Sequence, residues 1–170
     1  QHISSRNSEV IHSGFYYPHN TLKAQLCVEG NFMIYAFCDR YNIPYRKCGK
    51  LIVANNKVEE KKLQDILSIA TKNGLQDIKI ISNKEALLIE PYVKCSKALW
   101  VPSTGIMNSH LIMSKLENLS LSRDVSFAYN LEVNNIKKVK DYFTISFKQD
   151  DTNIKTNNVI NCAGLWSHDL

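Results

Sequence analysis

The hydrophobic period changes along this chain, and that change constrains the fold more than any other feature. Between residues 22 and 73 apolar side chains recur at helical spacing, whereas from Val125 to Asn161 they recur every second residue. Helices and half-buried strands within 170 residues imply one or at most two domains. The expected class is α/β, or α+β with a mixed sheet.

Local signals place the elements. Asn20 or Thr21 caps a helix with an apolar stripe of Leu22, Leu26, Phe32, Met33 and Phe37, ending near Tyr41. Gly30 lies inside that helix at a cost of about 1 kcal/mol relative to Ala, either as a site of close packing or simply as a tolerated glycine. Gly49–Ala54 reads as a strand. Val58–Asn73 is a second helix, with Leu63, Ile66, Leu67 and Ala70 on one face and Gly74 just past its end. Ile78–Ile81 is a short strand, and Ser82–Ile89 a short helix stopped by Pro91. Ala98–Val101 and Gly105–Met107 flank a turn, and His110–Leu121 is helical. Strands are expected at Val125–Phe127, Glu132–Val139, Phe143–Phe147 and Asn158–Asn161, with a turn over 150–153.

Charge and cysteine content narrow the class. Lys and Arg exceed Asp and Glu by 21 to 16, and the excess is spread along the chain, so no nucleic-acid partner is implied. The apolar runs are far shorter than the roughly 18 residues of a membrane span, and the polar opening 1–9 does not read as a secretory signal. Cys27, Cys38, Cys48, Cys95 and Cys162 are odd in number and lack a C-x-x-C pair, which suits reduced thiols in a cytoplasmic protein. His19, His110 and His168 lack metal-ligand spacing, so no metal site is assigned. The chain opens in a polar loop and stops just after Ala163-Gly164, where the pattern predicts the start of a new helix. It therefore reads as an internal piece of a longer protein or of a split reading frame.

Three stretches carry candidate chemistry. Ser4, Ser5, Arg6, Asn7 and Ser8 supply hydroxyl, amide and guanidinium groups suited to phosphate oxygens, although such a composition is also that of an ordinary loop. His12 follows, in front of Gly14. Asn161-Cys162-Ala163-Gly164 comes after the β-like Val159-Ile160 and lets backbone approach a ligand closely, or equally lets a strand pack tightly on a helix. Pro102-Ser103-Thr104-Gly105 is a turn with two hydroxyls. Lys50 either lies at the surface or meets a substrate carboxylate.

In order, SSRNSEVIHSGFYYPHNTLKAQLCVEG, IPYRKCGKLIVA, EPYVKCSKALWVPSTGIMN and VINCAGLW resemble the L-2-hydroxyglutarate oxidase/dehydrogenase family of FAD-dependent oxidoreductases, in the wider class of D-amino-acid and glycine oxidases. The block from His2 to Ala54 is the most specific part. The resemblance implies a partial Rossmann-like FAD-binding domain plus part of an antiparallel substrate-domain sheet. Residues 1–45 would be an FAD-domain loop and helix, 46–104 part of the substrate domain, and 105–170 a return to the FAD-binding domain. Ser4–Ser8 would then lie by the FAD pyrophosphate, His12 near the flavin as the candidate base, Val133 against the adenine, and Ala163 and Gly164 at a second close approach to the cofactor.

The implied reaction oxidises L-2-hydroxyglutarate to 2-oxoglutarate by hydride transfer to flavin. Oxygen and a quinone both stay open as acceptor, as does peripheral attachment to the inner membrane. An amino-acid oxidase of the glycine type, or a non-catalytic remnant, is the alternative. The isolated chain is expected to be inactive without the missing N- and C-terminal parts, which would include the upstream GxGxxG segment. Ser5 and Glu9 stand where the family usually carries glycine, and the Glu9 carboxylate would repel a nearby diphosphate if it faced one.

Overall fold

A computed structural model describes residues 3–149 and 151–170; Gln1, His2 and Asp150, the last part of the expected 150–153 turn, lie outside it. The chain divides into two compact units, Gln1–Glu117 and Asn118–Leu170. Helices are combined with antiparallel three-stranded sheets, the mixture that the change of period predicts.

In the first unit, β1 (Val10–Ile11) and β2 (Tyr45–Arg46) flank β6 (Gly105–Met107). A second sheet has β5 (Lys97–Val101) at its centre between β3 (Lys50–Ala54) and β4 (Lys79–Ser82). Its register sets Lys50 opposite Val101 and Ile52 opposite Leu99. One face of this sheet packs on α2 (Lys57–Lys72): Leu63 and Ala70 meet Ala54, Leu99, Val101 and Phe15 in a continuous apolar core. Leu99, paired to both neighbouring strands, and Val101, paired to Lys50 of β3, have no exposed surface.

Capping chemistry explains the helix boundaries. The Asn56 side chain accepts from the Glu59 amide at the start of α2. Ser82 and Glu85 form a reciprocal capping box that opens α3 (Asn83–Ile89). Thr21 accepts from the Ala24 amide to begin α1 (Leu22–Tyr41), and Asn42, at φ 54°, closes it in the left-handed region. α4 (Ser109–Leu121) follows β6 directly.

The expected apolar stripe of α1 is a correction. Leu22, Leu26, Phe32 and Met33 are all exposed, and the buried residues are Ala24, Asn31, Tyr35 and Cys38. The helix is apolar on both sides, and the inward side is chosen by shape and hydrogen bonding rather than by hydrophobicity. A small side chain and a buried amide fit against the loops below it.

In the second unit, β7 (Val133–Val139), β8 (Tyr142–Phe147) and β9 (Asn153–Thr156) form a meander, with an irregularity between Val133 and Asn135. The strands expected at Val125–Phe127 and Asn158–Asn161 are not formed, and β9 lies five residues earlier than the latter. β7 and β8 pair across a short turn, so β8 has one open edge; the segment that meets it is 153–156, in register with 143–146. The expected helix after Ala163 is a single 3-10 turn, Gly164–Trp166. Among the described residues no helix is long and apolar enough to cross a membrane.

Candidate functional site

The serine-rich opening is folded by its own asparagine. Ile3–Ser5 form a 3-10 turn, and Asn7 Nδ2 donates to the carbonyls of Ile3 and Ser4, both at 3.0 Å. Asn7 Oδ1 accepts from the Glu9 amide at 2.8 Å. The Asn7 side chain thus shapes the loop, leaving Ser4, Arg6 and Ser8 exposed along it.

Glu9 stands where the backbone conformation favours glycine. Its φ is 56°, in the left-handed region that penalises a side chain. The side chain is held by the first turn of α4: Glu9 Oε1 accepts from the Ser109 amide at 2.9 Å and from the Ser109 hydroxyl at 2.7 Å. Those hydrogen bonds hold the Glu9 carboxyl below its ordinary pKa, and a helix N-terminus favours a carboxylate there. The negative charge is therefore taken up at α4 and does not oppose an anion along Ser4–Ser8.

His12 is positioned through its backbone. Asn31 Nδ2, on the buried side of α1, donates to the His12 carbonyl at 3.1 Å and to the Ser103 carbonyl at 3.0 Å. Cys27 Sγ donates to the same His12 carbonyl at 3.7 Å, and Tyr35 Oη donates to the Ser103 carbonyl at 3.1 Å. Ser13 and Thr104 share a buried hydroxyl–hydroxyl bond of 2.7 Å, while the Thr104 carbonyl accepts from the Gly49 amide at 2.9 Å. Downstream, Asn73 Nδ2, at the end of α2, donates to the carbonyls of Gly14 and Tyr17. Two asparagines, 31 and 73, thus fasten the loop from 12 to 17 to two helices. Neither stood out in the sequence, where a lone asparagine in a helix or at its end carries no functional signal.

The His12 side chain remains accessible, yet its pKa is lowered, first by loss of surrounding water and then by the positive charges of Lys50 and Lys23. The imidazole is therefore held in its neutral, proton-accepting form. Gly49, next to Lys50, has φ 71°, and a Cβ there would fall 1.9 Å from Trp100 Cη2. The turn before β3 therefore requires glycine. Behind the clamp lies an open cleft of about 610 Å³ whose lining includes Ser13, Asn31, Tyr35, Lys47 and Ser103.

Asn31→Ala removes the donor shared by two carbonyls at a site only 6% exposed. The expected cost is about 1–3 kcal/mol, read as a lower denaturation midpoint of the full-length protein.

The other candidates lie in the second unit. Val133 begins β7 opposite Phe147. Ala163 donates its amide to Asn161 Oδ1 at 3.0 Å, and Gly164 follows at φ 59°. This bend is exposed at Asn161, Cys162 and Gly164 and half-buried at Ala163. Exposed hydroxyls, an accessible Arg6 and a carboxylate drawn off to α4 make the Ser4–Ser8 loop compatible with the phosphates of a nucleotide.

The whole chain, residues 1–170, matches the family model described as "FAD dependent oxidoreductase". It is 40% identical over 170 residues to the mitochondrial L-2-hydroxyglutarate dehydrogenase of Caenorhabditis briggsae, covering 98% of this chain and 39% of that protein. The corresponding Arabidopsis thaliana protein is 44% identical over 113 residues, covering 66% of this chain and 23% of that one. Among solved structures, dithionite-reduced L-alpha-glycerophosphate oxidase from Mycoplasma pneumoniae with FAD bound superposes with a TM-score of 0.86 at 26% identity, over 96% of this chain and 44% of that one. Glycine oxidase from Bacillus cereus shares the fold, with a TM-score of 0.80 at 16% identity, over 98% of this chain and 48% of that one. This chain thus spans about two fifths or less of the length of these dehydrogenase relatives, and it belongs to the FAD-dependent oxidoreductase family.

Proposed function

We propose that the protein containing this chain oxidises L-2-hydroxyglutarate to 2-oxoglutarate with FAD. The observation that carries this reading is the match, at 40% identity across nearly the whole chain, to a dehydrogenase named for that substrate. The glycine oxidase neighbour, at 16% identity, supports the shared fold alone. We assign residues 1–45 and 105–170 to the FAD-binding part and residues 46–104 to the part covering the substrate. Ser4, Ser5, Arg6, Asn7 and Ser8 would hold the pyrophosphate side, with Val133, Ala163 and Gly164 contributing backbone at the nucleotide. The relatives are named as mitochondrial; the five cysteines here are free thiols, which favours a reducing compartment, and we propose a cytoplasmic location.

When bound, FAD supplies the acceptor for the electron pair and hydrogen that leave C2 of the substrate. The remaining task is removal of the hydroxyl proton. His12 takes it at a ring nitrogen, while Asn31 and Asn73 keep the loop from shifting during the transfer. The substrate's carboxylates remain unchanged. The test is anaerobic mixing of the full-length flavoprotein with L-2-hydroxyglutarate: bleaching of the yellow absorbance with formation of 2-oxoglutarate is expected. An unchanged spectrum, or bleaching by glycine instead, would refute the proposal.

The lowered pKa of His12 sets a pH dependence. Its acid limb for flavin reduction is expected below 6.5, the ordinary imidazole value, because protonation removes the acceptor only there. Stability linked to this group runs in the same direction. The unfolded chain binds the proton more readily, so this contribution is complete above the unfolded value and declines as pH falls. Rapid-mixing rates between pH 5 and 8 measure the limb.

A further inference from the structure

Helix α1 carries more apolar surface than this part of the fold covers. Its inward side holds the His12 loop, while Gly30, Met33, Ile34 and Phe37 recur at helical spacing along one flank. Facing them, Ile112 and Leu116 stand one turn apart on α4, and the six residues line an open groove of about 290 Å³. Packing beneath fixes its shape: Ile112 is buried with Cys38 and Ile43, and Ile34, Phe37 and Tyr41 lie against them. Lys115 of α4 also sits 4.6 Å from the centroid of the Tyr41 ring, which meets Phe37 edge-on. The two helices are thus held at a set spacing.

Gly30 is the unusual member of the groove. Its backbone is helical, so no rare conformation requires glycine, and a Cβ there would meet nothing within 4 Å. Among the described residues no contact accounts for glycine at a position where it weakens the helix. Met33, beside it, is 64% exposed, and Leu26, Phe32 and Leu116 are exposed as well. A helix apolar around most of its circumference belongs in the interior of a larger fold. The relatives have one, since this chain matches only 39% of the length of the Caenorhabditis briggsae dehydrogenase. The groove offers no polar side chain to orient a small metabolite, whereas an apolar helix face needs none.

We propose that the groove between α1 and α4 is the docking surface for an apolar helix of the same polypeptide, supplied from outside these 170 residues and crossing α1 at Gly30. This docking follows from family membership and holds whichever substrate the protein oxidises. Glycine lets the two helix axes approach closely, and side chains of the incoming helix fill the space between Met33, Phe37 and Leu116. The contact also bears on the site. Asn31, the residue after Gly30, bonds the His12 and Ser103 carbonyls, so a helix seated on Gly30 holds the asparagine clamp in place.

The test uses the full-length, FAD-bound protein made with photo-methionine, whose side chain inserts on irradiation into whatever touches it. Peptide mass spectrometry is expected to join Met33 to a segment outside residues 1–170, within a product of monomer mass. In parallel, Gly30→Leu should lower the thermal midpoint by about 3 °C or more. On an uncovered helix face the same change should raise the midpoint, because leucine is the better helix former. A midpoint unchanged or raised would overturn the proposal. A Met33 cross-link found only at dimer mass would also overturn it and assign the groove to a second copy. Met33 reacting with water alone, or only with residues 1–170, would overturn it too.

Discussion

Replacing His12 by Gln in the full-length flavoprotein is expected to slow flavin reduction by L-2-hydroxyglutarate about 100- to 10,000-fold, the range for loss of a positioned proton acceptor. Glutamine keeps a polar side chain of similar reach but takes no proton at neutral pH. The loop itself should persist, because Asn31 and Cys27 hold the His12 backbone carbonyl, which every substitution preserves. Affinity for glutarate, which has no hydroxyl to oxidise, should therefore change little while the rate collapses. Single-turnover mixing beside a binding titration makes the comparison; a rate within fivefold of the parent removes His12 from the mechanism.

The second large effect is structural. Leu99→Ala is expected to cost about 2–5 kcal/mol, measured by chemical denaturation of the full-length protein. Leu99 has no exposed surface, lies on the central strand of its sheet and packs in the core with Leu63, Ala70 and Val101. Pairing on both sides, to Ile52 and Ile80, leaves the surrounding backbone little freedom to close the void. The loss should reach the site as well, since β5 carries the chain into the turn at Ser103 and Thr104 that anchors Ser13 and Gly49.

The parts of the fold legible in the sequence are those specified by neighbouring residues. Ser82 with Glu85 and the apolar run of β3 each identify themselves within a few positions. What escaped depends on distant residues. β1 and β2 are two residues long and exist only because β6, nearly a hundred positions beyond β1, lies between them. The inward side of α1 was masked by a more apolar outward side, because burial there is decided by what a buried amide must bond. Of the candidate site, His12 came from family resemblance. The asparagine clamp that holds it came only from the structure, since carbonyl acceptors leave no mark in a sequence.

The contact between Glu9 and Ser109 joins residues a hundred positions apart. Protonating Glu9 would leave a strained left-handed residue with a weakened tether. That tether is at full strength above the ordinary carboxylate pKa and slackens only as acidity passes the lowered value of the folded chain. Acid below the ordinary carboxylate pKa should accordingly loosen the loop entering β1 before it melts any of the three sheets, so that release of the yellow colour would precede loss of secondary structure.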